Sequence, residues 1–134
     1  MGQTLYLWST SNVAGTMVTL PVGGTYAETW KMNPDLGGIS IKVSTTSDGI
    51  DPLQFEYTLV GEDLWWDVSL INLDQITSLF DKLGFTVTPD TSNCRAVTCP
   101  AGDTACSDAY LWPTDDQATR SCVATTNMVL NLGL

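Results

Sequence analysis

The sequence predicts an all-β protein: an antiparallel β-sandwich with one short helix and a cysteine-bearing loop late in the chain. Three observations predict it. Short stretches rich in β-branched and aromatic residues recur along most of the chain with approximate period-2 alternation. Gly, Pro, Asn and Asp interrupt them at roughly the 8 to 12 residue spacing of sandwich turns. All four cysteines lie in the segment from Cys94 to Cys122.

The elements follow in order. TLYLWST, TMVTLPV, TYAETWKM, GISIKVST, LQFEYTLVG and LWWDVSLI read as strands. Pro21-Val-Gly-Gly24, Asn33-Pro34, Gly37-Gly38, Asp48-Gly49 and Gly61 supply the turn chemistry between them. LDQITSLFDKLG breaks the pattern, because Leu73, Ile76, Leu79, Phe80 and Leu83 recur at helical spacing. Asp74 is the expected N-cap and Gly84 the expected stop, giving a helix of about two to three turns. FTVTP and NMVLNLGL read as two further strands. With no linker, repeat or low-complexity tract, residues 1–134 are expected to form a single small domain.

Composition narrows the function classes. An apolar share of 43% with five Trp is that of a globular chain. Five Lys and Arg against fifteen Asp and Glu give a net charge of −10, which repels nucleic acid and anionic lipid. No stretch reaches the roughly 18 apolar residues of a membrane span, so no membrane insertion is expected. MGQTLYLW lacks a basic start and a long apolar run, so no signal peptide is read and Met1-Gly2 looks like a start placed on a mature chain. The absence of histidine removes Ser-His-Asp and Cys-His chemistry and histidine-ligated metals. No metal and no cofactor are expected.

Four cysteines allow three pairings. The gaps between them are four, six and fifteen residues, none of them the two-residue gap of zinc knuckles. Disulfides are the better reading, and they place the protein outside the cytosol.

Carboxylates are then the only abundant catalytic-type side chains, and two of them suffice for glycoside hydrolysis. Glu56 in QFEYTL and Asp67 in LWWDVSL each interrupt an aromatic-rich strand, although the polar face of an antiparallel strand explains both equally well. Trp65, Trp66 and Trp112 are candidates for stacking on sugar rings, with core burial as the competing role and at least one of the adjacent pair pointing inward. Asp115-Asp116 lacks the regular oxygen spacing of a calcium loop and reads as a solvated turn.

These residues carry a resemblance. FEYTLVGEDLWWDVSLI is similar to the stretch of thaumatin-like proteins in which a Glu precedes a D-F-Y/W-D-V-S-L strand. NCRAVTCP and CSDAYLWPTDDQATRSC resemble that family's paired-cysteine element and its C-P-D-A-Y segment, and TYAETW and GGISIKV fall where the family has early strands. The chain thus resembles the small secreted thaumatin-like proteins of plants and fungi over nearly its whole length. The resemblance implies the pairs Cys94–Cys122 and Cys99–Cys106. Larger members carry a disulfide-rich second domain between these cysteines. Only PAGDTA separates Cys99 from Cys106 here, so that domain is expected to be absent. The family's disulfide between its first strand and its C-terminus has no counterpart either, which leaves that strand truncated or replaced. In the chain-entropy view the outer bridge stabilises by about 3 to 4 kcal/mol and the inner by roughly 2.5. Together they are expected to hold Asp108 and Trp112 as one wall of a cleft.

The resemblance further implies an acidic cleft. Glu56, Asp67 and Asp108 match its carboxylates, with Glu56 as general acid and Asp67 or Asp108 as base or nucleophile. Lys42 stands near the family's cleft arginine and Asn72 stands where the family has an aspartate. Lys42, Trp65, Asn72, Tyr110 and Trp112 are the expected substrate-binding residues. The implied function is that of a secreted, monomeric, pathogenesis-related or antifungal protein acting on cell-wall β-1,3-glucan, as a weak endo-glucanase or a glucan binder. The alternative is a non-catalytic secreted interaction protein, effector or antigen, with a protein partner.

Overall fold

The structure, a computed structural model, describes residues 2–33, 37–73 and 78–133. Nine strands form two antiparallel sheets. The larger has six strands in the order β2-β1-β3-β4-β5-β8 and the smaller three in the order β7-β6-β9. The larger is built from β1 (Leu5–Thr10), β2 (Val18–Leu20), β3 (Ile39–Ser44), β4 (Leu53–Val60), β5 (Asp63–Ser69) and β8 (Arg120–Val123). The smaller is built from β6 (Phe85–Pro89), β7 (Val97–Cys99) and β9 (Met128–Leu132). Among the described residues no helix is long and apolar enough to cross a membrane.

Alternation in the sequence sets the two faces. On β4, Leu53, Phe55 and Tyr57 turn inward, and on β5 so do Leu64, Trp66 and Val68. They meet Phe85, Val87 and Val97 of the smaller sheet to form the core. Trp66 is fully buried while Trp65 faces out, so the adjacent pair splits between core and surface.

Three expectations change. TYAETWKM pairs in no sheet. Its alternation is genuine, since Tyr26, Glu28 and Trp30 are half-buried and the residues between them exposed, but it records burial against the inner face, not strand pairing. Trp30 stacks on Phe55 with ring centroids 6.0 Å apart, and its Nε1 donates to the Thr126 carbonyl at 2.8 Å. The helix α1 runs Leu79–Leu83, with Ser78 as its N-cap, whose Oγ accepts from Phe80 and Asp81 N–H. The expected cap Asp74, together with Ile76, lies outside the described residues. Gly84 does end the helix, at φ 76°, where a Cβ would meet the Cys99 carbonyl oxygen at 2.7 Å. Finally, β7 and β8 were not anticipated. Both lie in the cysteine-rich segment, where polar and cysteine positions dilute the strand signal.

The bridges are Cys94–Cys122 and Cys99–Cys106. The first ties β8 to the approach to β7, and the second closes a short loop at the end of β7. The late segment is therefore pinned to the sandwich as expected.

Candidate functional site: a groove on the outer sheet face

The register of the large sheet builds the site. Glu56 on β4 stands directly opposite Asp67 on β5, and Thr58 opposite Trp65. On the other side Ser40 pairs with Glu56 and Lys42 with Gln54. All point away from the core into an open groove of about 440 Å³, lined chiefly by Lys42, Gln54, Glu56, Trp65, Asp67 and Thr119. Directly opposed residues have Cβ atoms about 4.5–5.5 Å apart, so the two carboxylates share one microenvironment.

That proximity sets their protonation. Burial, then the charge of Glu56, pushes Asp67 up to about 7, and Arg120 opposes the rise. Burial also raises Glu56, with Lys42 pulling the other way. Asp67 Oδ1 is buried and accepts no hydrogen bond, which is why nothing offsets its desolvation. Asp67 therefore keeps its proton until the pH approaches about 7. The resemblance implies Glu56 as the proton donor; burial raises both carboxyls, and Asp67 stands beside Glu56 as a second candidate for that part.

The other expected residues divide. Trp65 is 48% exposed beside the carboxylates, an aromatic face open to a ligand. Asn72 reaches the groove floor through Gln54, whose Nε2 donates to Asn72 Oδ1 at 2.9 Å while Ser40 Oγ donates to Gln54 Oε1 at 3.2 Å. Tyr110 runs beside β5, its N–H donating to the Val68 carbonyl and its own carbonyl accepting from Leu70 N–H. Its hydroxyl bonds Thr119 on the groove wall and Asp116.

Asp108 and Trp112 do not join them. Asp108 Oδ2 accepts from Thr98 N–H at 3.0 Å and Oδ1 pairs with Arg120 Nη2 at 3.2 Å, so the carboxylate faces β7 and β8 instead of the groove. Trp112 is 65% exposed, in a turn whose N–H groups at 111 and 112 are accepted by Asp115. Asp115 is thus a turn residue, as its spacing suggested. Thr119, not Asp108 or Trp112, is what the pinned segment contributes to the wall, with the Tyr110 hydroxyl bonded to it from behind.

Sequence reasoning missed Arg120. It is 4% exposed, packs over the Trp66 ring at 5.6 Å, and donates from Nη1 to the carbonyls of Asp108 and Ala118. A guanidinium under the sheet, on the strand beside Asp67, supplies the positive potential that limits the rise of Asp67. Nothing in TRSC signals a buried cation, since Arg is almost never buried without partners. Gln54 was legible: it shares a face with Glu56 by period-2 alternation.

Two antiparallel sheets, a disulfide-pinned late segment and this strand order define a thaumatin-like β-sandwich. The chain belongs to the family described as Bys1, Blastomyces yeast-phase-specific protein, which it matches over residues 2–133. It is a small secreted thaumatin-like protein. It is 50% identical over 133 residues to the secreted thaumatin-like protein calA of Emericella nidulans, covering 99% of this chain and 77% of that one. It is 41% identical over 135 residues to the antigenic thaumatin-like protein of Arthroderma benhamiae, covering 98% of this chain and 67% of that one. The crystal structure of the protein elicitor MoHrip2 from Magnaporthe oryzae shares the fold, with a TM-score of 0.79 at 21% identity, over all of this chain and 93% of that one.

Proposed function

We propose that the outer groove binds β-1,3-glucan at cell walls and that Asp67 and Glu56 hydrolyse it slowly, as proton donor and nucleophile. The observation that carries the reading is the direct cross-strand opposition of Glu56 and Asp67, with Asp67 protonated until the pH approaches about 7. A protonated carboxyl beside an ionised one is the division of labour that glycoside cleavage requires. Opposed strand positions favour the short carboxyl separation of about 5 Å used by retaining enzymes over the roughly 6.5–9.5 Å of inverting ones. Trp65 offers a flat apolar face for a pyranose ring, and Gln54, Asn72 and Ser40 offer hydrogen bonds to its hydroxyls. A neutral polysaccharide is indifferent to the −10 charge. The groove is open on its far side, so little holds the sugar at reacting geometry, and turnover is correspondingly slow.

A second reading has one observation behind it. The solved structure sharing this fold is that of a protein elicitor, which accords with a non-catalytic secreted protein that meets a protein partner. One sample separates the two. Incubation with insoluble curdlan is followed by sedimentation and a reducing-sugar assay. Co-sedimentation with release of reducing ends, both release signals falling by about 100-fold or more in Asp67→Asn and Glu56→Gln, is the expected result. Binding with no release leaves a glucan-binding module, and no binding leaves the interaction protein.

A further inference from the structure

The two sheets differ in width, and the difference leaves a second groove. The Cys94–Cys122 bridge sets the β7 side of the small sheet against β8, and β9 forms its other edge. Beyond β9, no strand among the described residues roofs the inner faces of β1 and β3. A groove of about 570 Å³ lies there, lined by apolar side chains that include Leu7, Ile41, Val43, Phe55 and Leu130, and flanked by the extended segment that carries Tyr26 and Glu28. That volume falls in the range of small-molecule sites, roughly 300–1,000 Å³.

One end of this apolar groove is not apolar. Glu28 accepts from Tyr26 Oη at 2.7 Å and from Tyr57 Oη at 2.6 Å, with only 11% of its side chain exposed. Burial would raise it, but the Tyr57 hydroxyl, the nearby Ser9 hydroxyl, the Tyr26 hydroxyl and Lys31 together hold it below the ordinary carboxylate value. It is therefore an ionised group. Its one cation among the described residues, Lys31 Nζ, stands off at 3.8 Å on a side chain 56% exposed to solvent. Ser9 Oγ is buried beside it. A buried anion with a loosely held, solvent-exposed cation at the end of a long apolar floor describes a receptor for one chemical class.

We infer that this groove binds an amphiphile with a single apolar chain and an ammonium head, the chain lying along β1 and β3 and the head replacing Lys31 at Glu28. Charge complementarity selects the head. An alkyl carboxylate would meet Glu28 and the −10 field of the protein, and would be refused. A neutral alcohol would reach Ser9 and the phenols but forgo the ion pair.

The test uses the whole chain and three probes with one tail: dodecylamine, dodecanol and dodecanoate, each below its micelle concentration at physiological salt. Amide NMR shifts are followed. The expected result is saturable shifts confined to β1, β3, β9 and residues 20–30, with dodecylamine bound about tenfold or more tighter than dodecanoate, and dodecanol between them. Ethylamine, which has the charge and no tail, is expected to leave these signals in place. Glu28→Gln is expected to abolish the preference for amine over alcohol while holding dodecanol affinity within about twofold. The head-group comparison on the unmodified protein stands even if that variant folds poorly. Equal affinity for the three heads, equal shifts with ethylamine, or no binding overturns the inference. So does a concentration-dependent shift of the same residues without probe, which would make the groove an interface between two copies. None of these outcomes depends on the outer groove or on glucan.

Discussion

Asp67 and Glu28 lie on opposite sides of one sheet, the first on its outer face and the second over its inner face, and burial acts on both in the same sense. They nevertheless move in opposite directions. Asp67 is pushed up to about 7 because burial and the neighbouring Glu56 act on a carboxylate whose Oδ1 has no donor. Glu28 stays below its ordinary value because two phenols donate to it, which outweighs its desolvation. Burial alone therefore says nothing about charge state; the supply of donors decides it. The outer site keeps a proton to give away, and the inner site keeps a fixed negative charge.

The largest expected effect breaks the inner site. Glu28→Ala removes the acceptor for Tyr57, a residue only 2% exposed, and leaves its buried O–H without an acceptor. The expected loss is about 2–4 kcal/mol, read by urea unfolding at pH 7. Adding Tyr57→Phe to that variant should recover part of the loss, because the orphaned hydroxyl goes with it. A loss under about 0.5 kcal/mol would mean that the phenols do not hold the carboxylate.

The second effect has the opposite sign and comes from the outer site. The folded value of Asp67, about 7, lies above its ordinary 3.8. The stabilisation it brings is therefore fully present below pH 3.8 and is lost as the pH rises through about 7. Asn mimics the protonated carboxyl at every pH. The Asp67→Asn variant should match the parent near pH 4 and exceed it by about 1–3 kcal/mol at pH 8. Chemical unfolding at the two pH values measures this, and a constant difference between them would refute it. Glu28 works the other way, since its contribution is present at neutral pH and fades as the solution is acidified through its lowered value.

How much of this contrast was legible in the sequence follows from what sequence patterns encode. Alternation in LQFEYTLV and LWWDVSL showed that Glu56 and Asp67 face away from the core residues beside them, and their resemblance to a known stretch brought them together. Neither could show that the two stand directly opposite, because register depends on the turn at Gly61 and on the packing of both strands. The disulfide pairs were legible only through resemblance, since four cysteines alone allow three pairings. The motif around Asp108 can aim a carboxylate at a groove or at a guanidinium, and here it pairs with Arg120, which packs over Trp66 and which no sequence pattern marks. Glu28 was hidden for a related reason. TYAETWKM alternates like a strand, and nothing in that pattern sets its Glu apart from a solvent-facing one. Its partners, Tyr57 and the inner face, are brought in by tertiary packing from 29 positions away.

The smallest expected effect sharpens the outer site by changing a charge while leaving both carboxylates in place. Lys42 opposes the burial that raises Glu56, so Lys42→Gln removes the restraint and Glu56 should titrate higher still. Asp67 titrates with Glu56 already ionised, and Lys42 is not among the charges that set it, so its step should stay near its place. The two titration steps of the pair should therefore draw together, the lower one rising by a few tenths of a pH unit to about one unit. Side-chain carboxyl NMR across pH 3 to 9 reads both steps without reference to any substrate. Global stability should change by less than about 0.5 kcal/mol, since Lys42 is a surface charge with no ion pair among the described contacts. Should hydrolysis of laminarin also be found, the acid limb of its pH profile must move upward with the lower step, because the nucleophile has to be ionised. A limb that stays in place while the NMR step moves would remove Glu56 from the reaction and leave the groove to binding alone.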